Sequence, residues 1–369
     1  MSRKGLAKEF AKLVRGEPGQ YVASKGALKE LPDRLSLFKH PVVITGQKSY
    51  AAFVKHYGKE SDWPVLFYDQ TASHEDMERL AAQARHLEAD VIIGIGGGKV
   101  MDTTKGVADR LNVEVVLIPT LVATCACSTP LLVAYHPDHT FKSIDYCQRS
   151  GFMTVVDYDL LVDAPKEFLI SGLSDTLAKW YELEAIHRGK LRQDLPATVQ
   201  LALATAQVSQ DILLQDTESV LEAVDKKQVT PAFKRMVDTV YVVAANVGCQ
   251  TSDYVSGAHA LHNGLTVLHE THRIAHGLKV AYGILVQLCL MGDEDEVRKL
   301  LPFYKKNGYI YRWDQFGVEE NRLSAMKKVA DLATVPTESY INIRQDITAD
   351  EVVAAMQRLE EIVEDVAHD

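Results

Sequence analysis

The chain has 369 residues, 47% of them hydrophobic and 24% charged, the balance of an ordinary globular protein long enough for two domains. With 40 Lys and Arg against 50 Asp and Glu, the net charge is −10, which argues against a nucleic-acid or anionic-membrane partner, since either needs a basic face. The five cysteines (Cys125, Cys127, Cys147, Cys249, Cys289) are odd in number and lack CxxC spacing, so a secreted disulfide framework is disfavoured and a reducing cytoplasm expected.

The first stretch, "MSRKGLAKEFAKLVRGEPG", is charged and has no apolar core, unlike a signal peptide. Strand and helix then alternate. "PVVITG" (41–46) reads as a buried strand and "KSYAAFVKHY" as a helix. "PVLFYD" is strand-like, and "ASHEDMERLAAQARHLEA" opens on Ser73 as a helix N-cap. "ADVIIGIGGG" reads as strand and turn, "VMDTTKGVADRLN" as helix, "VEVVLIPT" as strand, and "FMTVVDYDLL" (152–161) as one more strand. Continuous apolar strands alternating with helices predict a parallel sheet covered on both faces. The uncharged run 115–135 is long enough to span a bilayer, but Pro119, Pro130 and its hydroxyl residues point instead to a buried strand and loop. After Pro165 the pattern turns helical, with helices expected over 167–189, 193–221, 231–271, 276–291, 322–333 and 348–367. The expected division is an α/β domain over 1–163 and an all-helical domain over 164–369.

"GIGGGKVMD" places three glycines and Lys99 at the end of a strand and the start of a helix. Glycines there let a backbone approach a ligand, and the helix start offers N–H groups and a positive dipole end to a phosphate. A tight turn without a ligand explains the same residues. The clustered hydroxyls of "PTLVATCACSTP", closing the next strand at the same edge, favour a nucleotide.

Five of the 13 histidines fall between 259 and 276: His259, His262, His269, His272 and His276. Imidazole clusters suit zinc or iron with a carboxylate completing the set; each histidine alone reads first as a hydrogen-bonded or exposed residue, and it is their density that points to a metal. Asp175, in "LISGLSDTLAKWYELEA", is a carboxylate among apolar neighbours; it is either such a partner or a helix N-terminal acid.

Together "GIGGGKVMDTTK", "IPTLVATCACS", "SGLSDTLAKWYE", "AHALHNGLTV" and "HGLKVAYG", in that order, resemble the iron-containing (group III) alcohol dehydrogenase superfamily. Within it they resemble the glycerol dehydrogenase-like branch. The resemblance implies an α/β nucleotide-binding domain followed by an all-α domain, the architecture shared with dehydroquinate synthase. It implies NAD or NADP along the cleft between the domains and one divalent metal in the helical one. By motif, Asp175, His259 and His276 match the metal ligands. Gly96, Gly97, Gly98 and Lys99 match the pyrophosphate site. Thr120 and Thr124 lie along the cofactor, joined by Thr129, Leu131 and Tyr135 on the loop that follows. His262 and Cys125 are the candidate catalytic residues: His262 as proton relay, ligand support or merely structural, Cys125 at the substrate or as a redox-sensitive thiol. The substrate is a small molecule, and members of the family are usually homo-oligomers.

Three departures bear on specificity. Cys125 stands where glycerol dehydrogenases carry an aspartate for substrate hydroxyls, and the surrounding motifs look closer to hydroxycarboxylate dehydrogenases, so a 2-hydroxy or 2-oxo acid is expected ahead of glycerol. Lys179 stands where iron-dependent members have a fourth-ligand histidine; a three-ligand zinc site fits better, with Lys179 attracting a substrate carboxylate or pairing with an acid such as Glu182. After "PVVITG", Gln47 and Lys48 replace the ribose-binding aspartate, which admits NADP. The rival functions are a dehydroquinate synthase-like non-redox reaction, which needs a basic cluster absent beside these motifs, a glycerol-1-phosphate dehydrogenase, which needs a similar phosphate pocket, and a non-catalytic binding protein.

Overall fold

The computed structural model describes residues 15–251 and 253–368. These residues divide into two compact units: 15–166 with Glu222–Cys249, and Glu167–Leu221 with 250–368. The chain thus passes between units more than once, where a single cut at 163/164 has it pass once.

The first unit is built on a six-stranded, wholly parallel sheet in the order β1-β8-β5-β4-β2-β3: β1 Gln20–Ser24, β2 Pro41–Thr45, β3 Val65–Phe67, β4 Val91–Gly96, β5 Glu114–Pro119 and β8 Met153–Asp157. Every residue of β2, β4 and β8 is buried, which is why they read as unbroken apolar runs rather than alternations. The short Leu31–Arg34 (α1), Gln47–Tyr57 (α2), His74–His86 (α3) and Gly98–Leu111 (α4) are its first helices. Ser73 caps α3 by accepting from Asp76 N at 3.1 Å. Leu28, Leu31 and Phe53 pack on Val43, Ile93, Ile95, Val116 and Val155 to form the core on one face of the sheet.

Two expectations change here. The strand over 152–161 ends at Asp157, whose carboxylate accepts from Asp159 N and Leu160 N and starts a helix, Tyr158–Val162 (α5). Leu131 and Tyr135 lie not on a loop but on a strand, Leu131–Tyr135 (β6), paired antiparallel with Phe141–Tyr146 (β7).

The second unit is helical. It contains Lys166–His187 (α6) from Glu167 onward and Ala197–Asp225 (α7) up to Leu221. Pro231–Asp238 (α8) and Ala244–Gln250 (α9) belong to the first unit up to Cys249, with a π-helical turn, Thr239–Val243, joining them. The second unit continues with Gly257–Leu265 (α10), His276–Leu290 (α11), Glu294–Asn307 (α12), Arg322–Ala333 (α13) and Ala349–His368 (α14). The single helix expected over 231–271 is therefore broken. The stretch between Gln250 and Gly257 interrupts it, where Thr251 takes the Asp253 N–H on its hydroxyl at 3.4 Å in place of a helical bond, and a 3₁₀ turn occupies His269–Arg273. No helix among the described residues is long and apolar enough to cross a membrane.

Candidate metal and nucleotide sites

In the parallel sheet β3 lies on one side of β2 and β4 on the other, so the chain reverses direction between the ends of β2 and β4. Ligands of open α/β sheets bind at the carboxyl ends of strands at such a point. The two ends are tied together by Thr45 Oγ1 donating to Ile95 O at 2.7 Å. Gly96 must be glycine for α4 to start here: a Cβ would lie 2.6 Å from Val100 Cβ. At Gly97 and Gly98 a Cβ would fill space beside Leu121 Cδ1 (3.1 Å) and Thr124 Oγ1 (3.2 Å), so the bare backbone leaves a shallow cradle at a helix start without a side-chain cap. Those features fit a phosphate.

The other nucleotide candidates gather around the same turn. Thr120 N donates to Gly96 O at 2.9 Å, and Thr124 caps the 3₁₀ turn Cys125–Cys127. Lys99 Nζ lies 5.2 Å from the centre of the Tyr135 ring; burial lowers its pKa against the attraction of Asp69. Thr129 is buried and Leu131 partly so. Cys125 is partly exposed, whereas its neighbour Cys127 is enclosed and burial pushes its thiol up to about 12. Lys48 is exposed at the first turn of α2.

In the helical unit Asp175, His259 and His276 come together. Asp175 lies inside α6, His259 in the first turn of α10 and His276 at the first position of α11. The Nε2 atoms of both histidines are 3.2 Å from Asp175 Oδ1, and one donor atom from each of the three lies within 4.8 Å of the others. Gly277 makes this possible: a side chain there would overlap the Ser171 carbonyl of α6, and its N–H donates to Ser171 Oγ at 3.0 Å. Burial opposes the charge of Asp175, but Lys179 and the hydrogen bonds from the two histidines outweigh it and hold the carboxyl well below the usual range.

The surroundings orient each imidazole. Glu182, wholly buried one turn beyond Lys179, takes His259 Nδ1 on Oε2 at 2.6 Å; its Oε1 accepts from His259 N at 2.9 Å and Ser256 N at 2.7 Å. Burial opposes the His259 proton, but Glu182 and Asp175 raise its pKa to about 9. Lys179 Nζ lies 5.0 Å from the Tyr254 ring. His276 Nδ1 meets His262 Nε2 at 2.9 Å, His262 Nδ1 meets Asn263 Oδ1 at 2.9 Å, and Asn263 Nδ2 donates to Glu338 Oε2 at 2.9 Å. One direction satisfies the chain: His276 Nδ1–H donates to His262, whose own Nδ1–H donates to Asn263. Burial, with the neighbouring charges of His276, Lys279 and His259, keeps His262 well below its ordinary pKa, in the neutral form that this direction needs.

Two imidazole nitrogens and a carboxylate, each imidazole held by a partner on its far nitrogen, are the donor set and support that a zinc-like metal requires. His269 and His272 pack on each other instead, with ring centres 5.3 Å apart, and do not join the triad. Glu182 carries no signal as a site residue in the motifs, and neither does Lys105, whose buried Nζ donates to Ala126 O at 2.9 Å. What marks Glu182 instead is its position on the Asp175 helix, seven residues and so two turns on, which puts both carboxylates on one face.

A model of the iron-containing alcohol dehydrogenase family matches residues 18–156. Over 351 residues the chain is 33% identical to a hydroxycarboxylate dehydrogenase A of Escherichia coli, covering 93% of this chain and 96% of that protein. It is 31% identical to a glycerol dehydrogenase of Thermotoga maritima over 92% of this chain and 94% of that one. The crystal structure of a probable glycerol dehydrogenase from Sinorhizobium meliloti superposes with a TM-score of 0.85 at 25% identity, covering 96% of this chain and 99% of that one.

Proposed function

This chain belongs to the iron-containing alcohol dehydrogenase family, and on that premise we propose that it interconverts a small 2-hydroxycarboxylate and its 2-oxo acid. It is an NAD-linked oxidoreductase acting on a small molecule. The observation that carries the chemistry is the convergence of Asp175, His259 and His276 from three helices, with the far nitrogen of each histidine already engaged. When bound on these three ligands, a divalent metal would supply a Lewis acid, and a nicotinamide cofactor would supply the hydride chemistry.

The chain's own residues do the rest. Glu182 holds the His259 proton on Nδ1, leaving Nε2 to ligate, and His262 does the same for His276. His262, linked through Asn263 to Glu338, has the contacts of a relay as well as of a support. Gly96, Gly97, Gly98 and Lys99 receive the pyrophosphate, and Thr120, Thr124, Thr129, Leu131 and Tyr135 line the rest of the cofactor. With Lys48 exposed after β2 in place of a carboxylate, NADP is accepted beside NAD. Three ligands, with Lys179 where a fourth would sit, favour zinc over iron. We place the enzyme in the cytoplasm as a homo-oligomer.

Cys125 in place of a hydroxyl-binding carboxylate, together with the relative named hydroxycarboxylate dehydrogenase, supports the acid substrate. Glycerol is the second reading, favoured by the relatives and the solved structure that carry the name glycerol dehydrogenase. The test is protein stripped of metal and reloaded with zinc or ferrous iron, followed at the NAD(P)H absorbance. Reduction of 2-oxoglutarate or 2-oxobutanoate is expected. Oxidation of glycerol with no turnover of either acid overturns the reading. Cys125→Asp is expected to lower kcat/KM for the acids and raise it for glycerol.

A further inference from the structure

Lys105 sits in the middle of α4 with 4% of its surface exposed. Its Nζ donates to Ala126 O at 2.9 Å, to Thr129 O at 3.3 Å and to Leu131 O, and lies 2.9 Å from Asp102 Oδ1. An ammonium has three protons. Three backbone carbonyls take all three, and buried Asp102 supplies the opposite charge. Two other buried donors act on the same segment: Thr154 Oγ1 on Cys127 O at 2.6 Å and Tyr241 OH on Leu121 O at 2.8 Å. Five carbonyls between residues 121 and 131 are therefore committed to side chains of the interior.

A ring of carbonyl oxygens closed by one carboxylate is the oxygen-rich shell that a hard monovalent cation takes. We propose that Lys105 serves as a tethered monovalent cation that organises segment 121–131 for cofactor binding, and that the same shell takes free K+ or an alkylammonium when the side chain is shortened. The cofactor part rests on the proposed assignment of Thr124, Thr129 and Leu131 to the nucleotide. Turning these carbonyls toward Lys105 keeps their partial negative charge away from an anionic ligand, so the ion acts through the loop as a positioning residue.

The test is Lys105→Ala in the full chain, read two ways: hydrogen exchange of amides 121–131 without cofactor, and NADH affinity by fluorescence titration. Exchange about tenfold faster and affinity about tenfold weaker are expected from loosening the segment. Propylammonium or K+ restores both, and choline at equal ionic strength restores neither. Wild-type protein responds to none of them. Should Lys105→Ala not fold, Asp102→Asn/Lys105→Met removes both charges and leaves no lone buried carboxylate. There the segment exchanges fast, no cation rescues it, and NADH affinity stays low after thermal stability returns. Wild-type exchange in either folded variant, rescue by choline, or NADH affinity that recovers together with stability in the double variant overturns the tethered ion. Loosened, cation-rescued exchange with unchanged NADH affinity upholds the ion and removes the segment from the cofactor site.

Discussion

Replacing Glu182 by glutamine tests whether the metal site depends on a proton's position. The carboxylate accepts from Ser256 N, His259 N and His259 Nδ1. An amide accepts on one side only. If its oxygen keeps the two backbone donors, its NH₂ faces Nδ1, and the imidazole proton must move to Nε2, the atom that faces Asp175. That tautomer cannot ligate. If the amide turns over, two buried N–H groups face an NH₂, at about 1–3 kcal/mol each. The first arrangement is the cheaper one, and loss of a supporting carboxylate of this kind lowers metal affinity by about 10- to 100-fold. That range is about 1.4–2.7 kcal/mol. Competition for zinc against a fluorescent chelator measures it, with the melting temperature of the metal-free variant as the control for folding. A folded Glu182→Gln protein that binds zinc as tightly as wild type refutes the argument.

Asp175→Asn removes the charged member of the triad; bound metal, counted after dialysis, should vanish, and turnover should fall by about a thousandfold or more, the worth of several kcal/mol of charge stabilisation. A metal-loaded, active variant contradicts the assignment. Gly96→Ala drives a methyl to 2.6 Å from Val100 Cβ and should cost about 1–3 kcal/mol in denaturant unfolding, with weaker NADH binding. Lys279 is buried, and desolvation depresses its pKa from 10.5 to about 8. Below about pH 8 the folded chain carries this buried charge at a cost; between about 8 and 10.5 only the unfolded chain holds the proton, so the group's contribution to stability rises with pH. Lys279→Met should therefore be more stable than wild type at pH 7 by about 3 kcal/mol, and the gap should close across that window. A gap that is constant with pH contradicts this.

The central strands and the helix starts were legible because each is a local pattern. β2 and β4 are unbroken apolar runs, and Ser73 caps its helix three residues from its partner. Asp175, His259 and His276 were picked out by likeness of motif; nothing in their spacing places three residues from three helices in contact. Glu182 and Lys105 were missed as parts of the sites because their partners lie far along the chain: His259 is 77 residues from Glu182, and Leu131 is 26 from Lys105. The hairpin of β6 and β7 was hidden by the prolines and hydroxyls that precede it. The break before α10 was hidden because "VVAANVGCQ" and "GAHALHNGL" each carry helical composition, and only the polar residues between them mark the gap.

The strand order also bears on how the protein is made. β1 runs Gln20–Ser24, yet among the described residues it pairs with β8 alone, Gln20 opposite Met153 and Ser24 opposite Asp157. A ribosome releases β1 long before its partner exists, and β2 to β5 emerge and can join one another in the meantime. Chain order leaves the β5 edge without its β8 partner until β8 has been made, and β1 can pair only after that. Until then "QYVAS" has no strand to pair with, and the length of that exposed interval is set by the distance between β1 and β8 along the message.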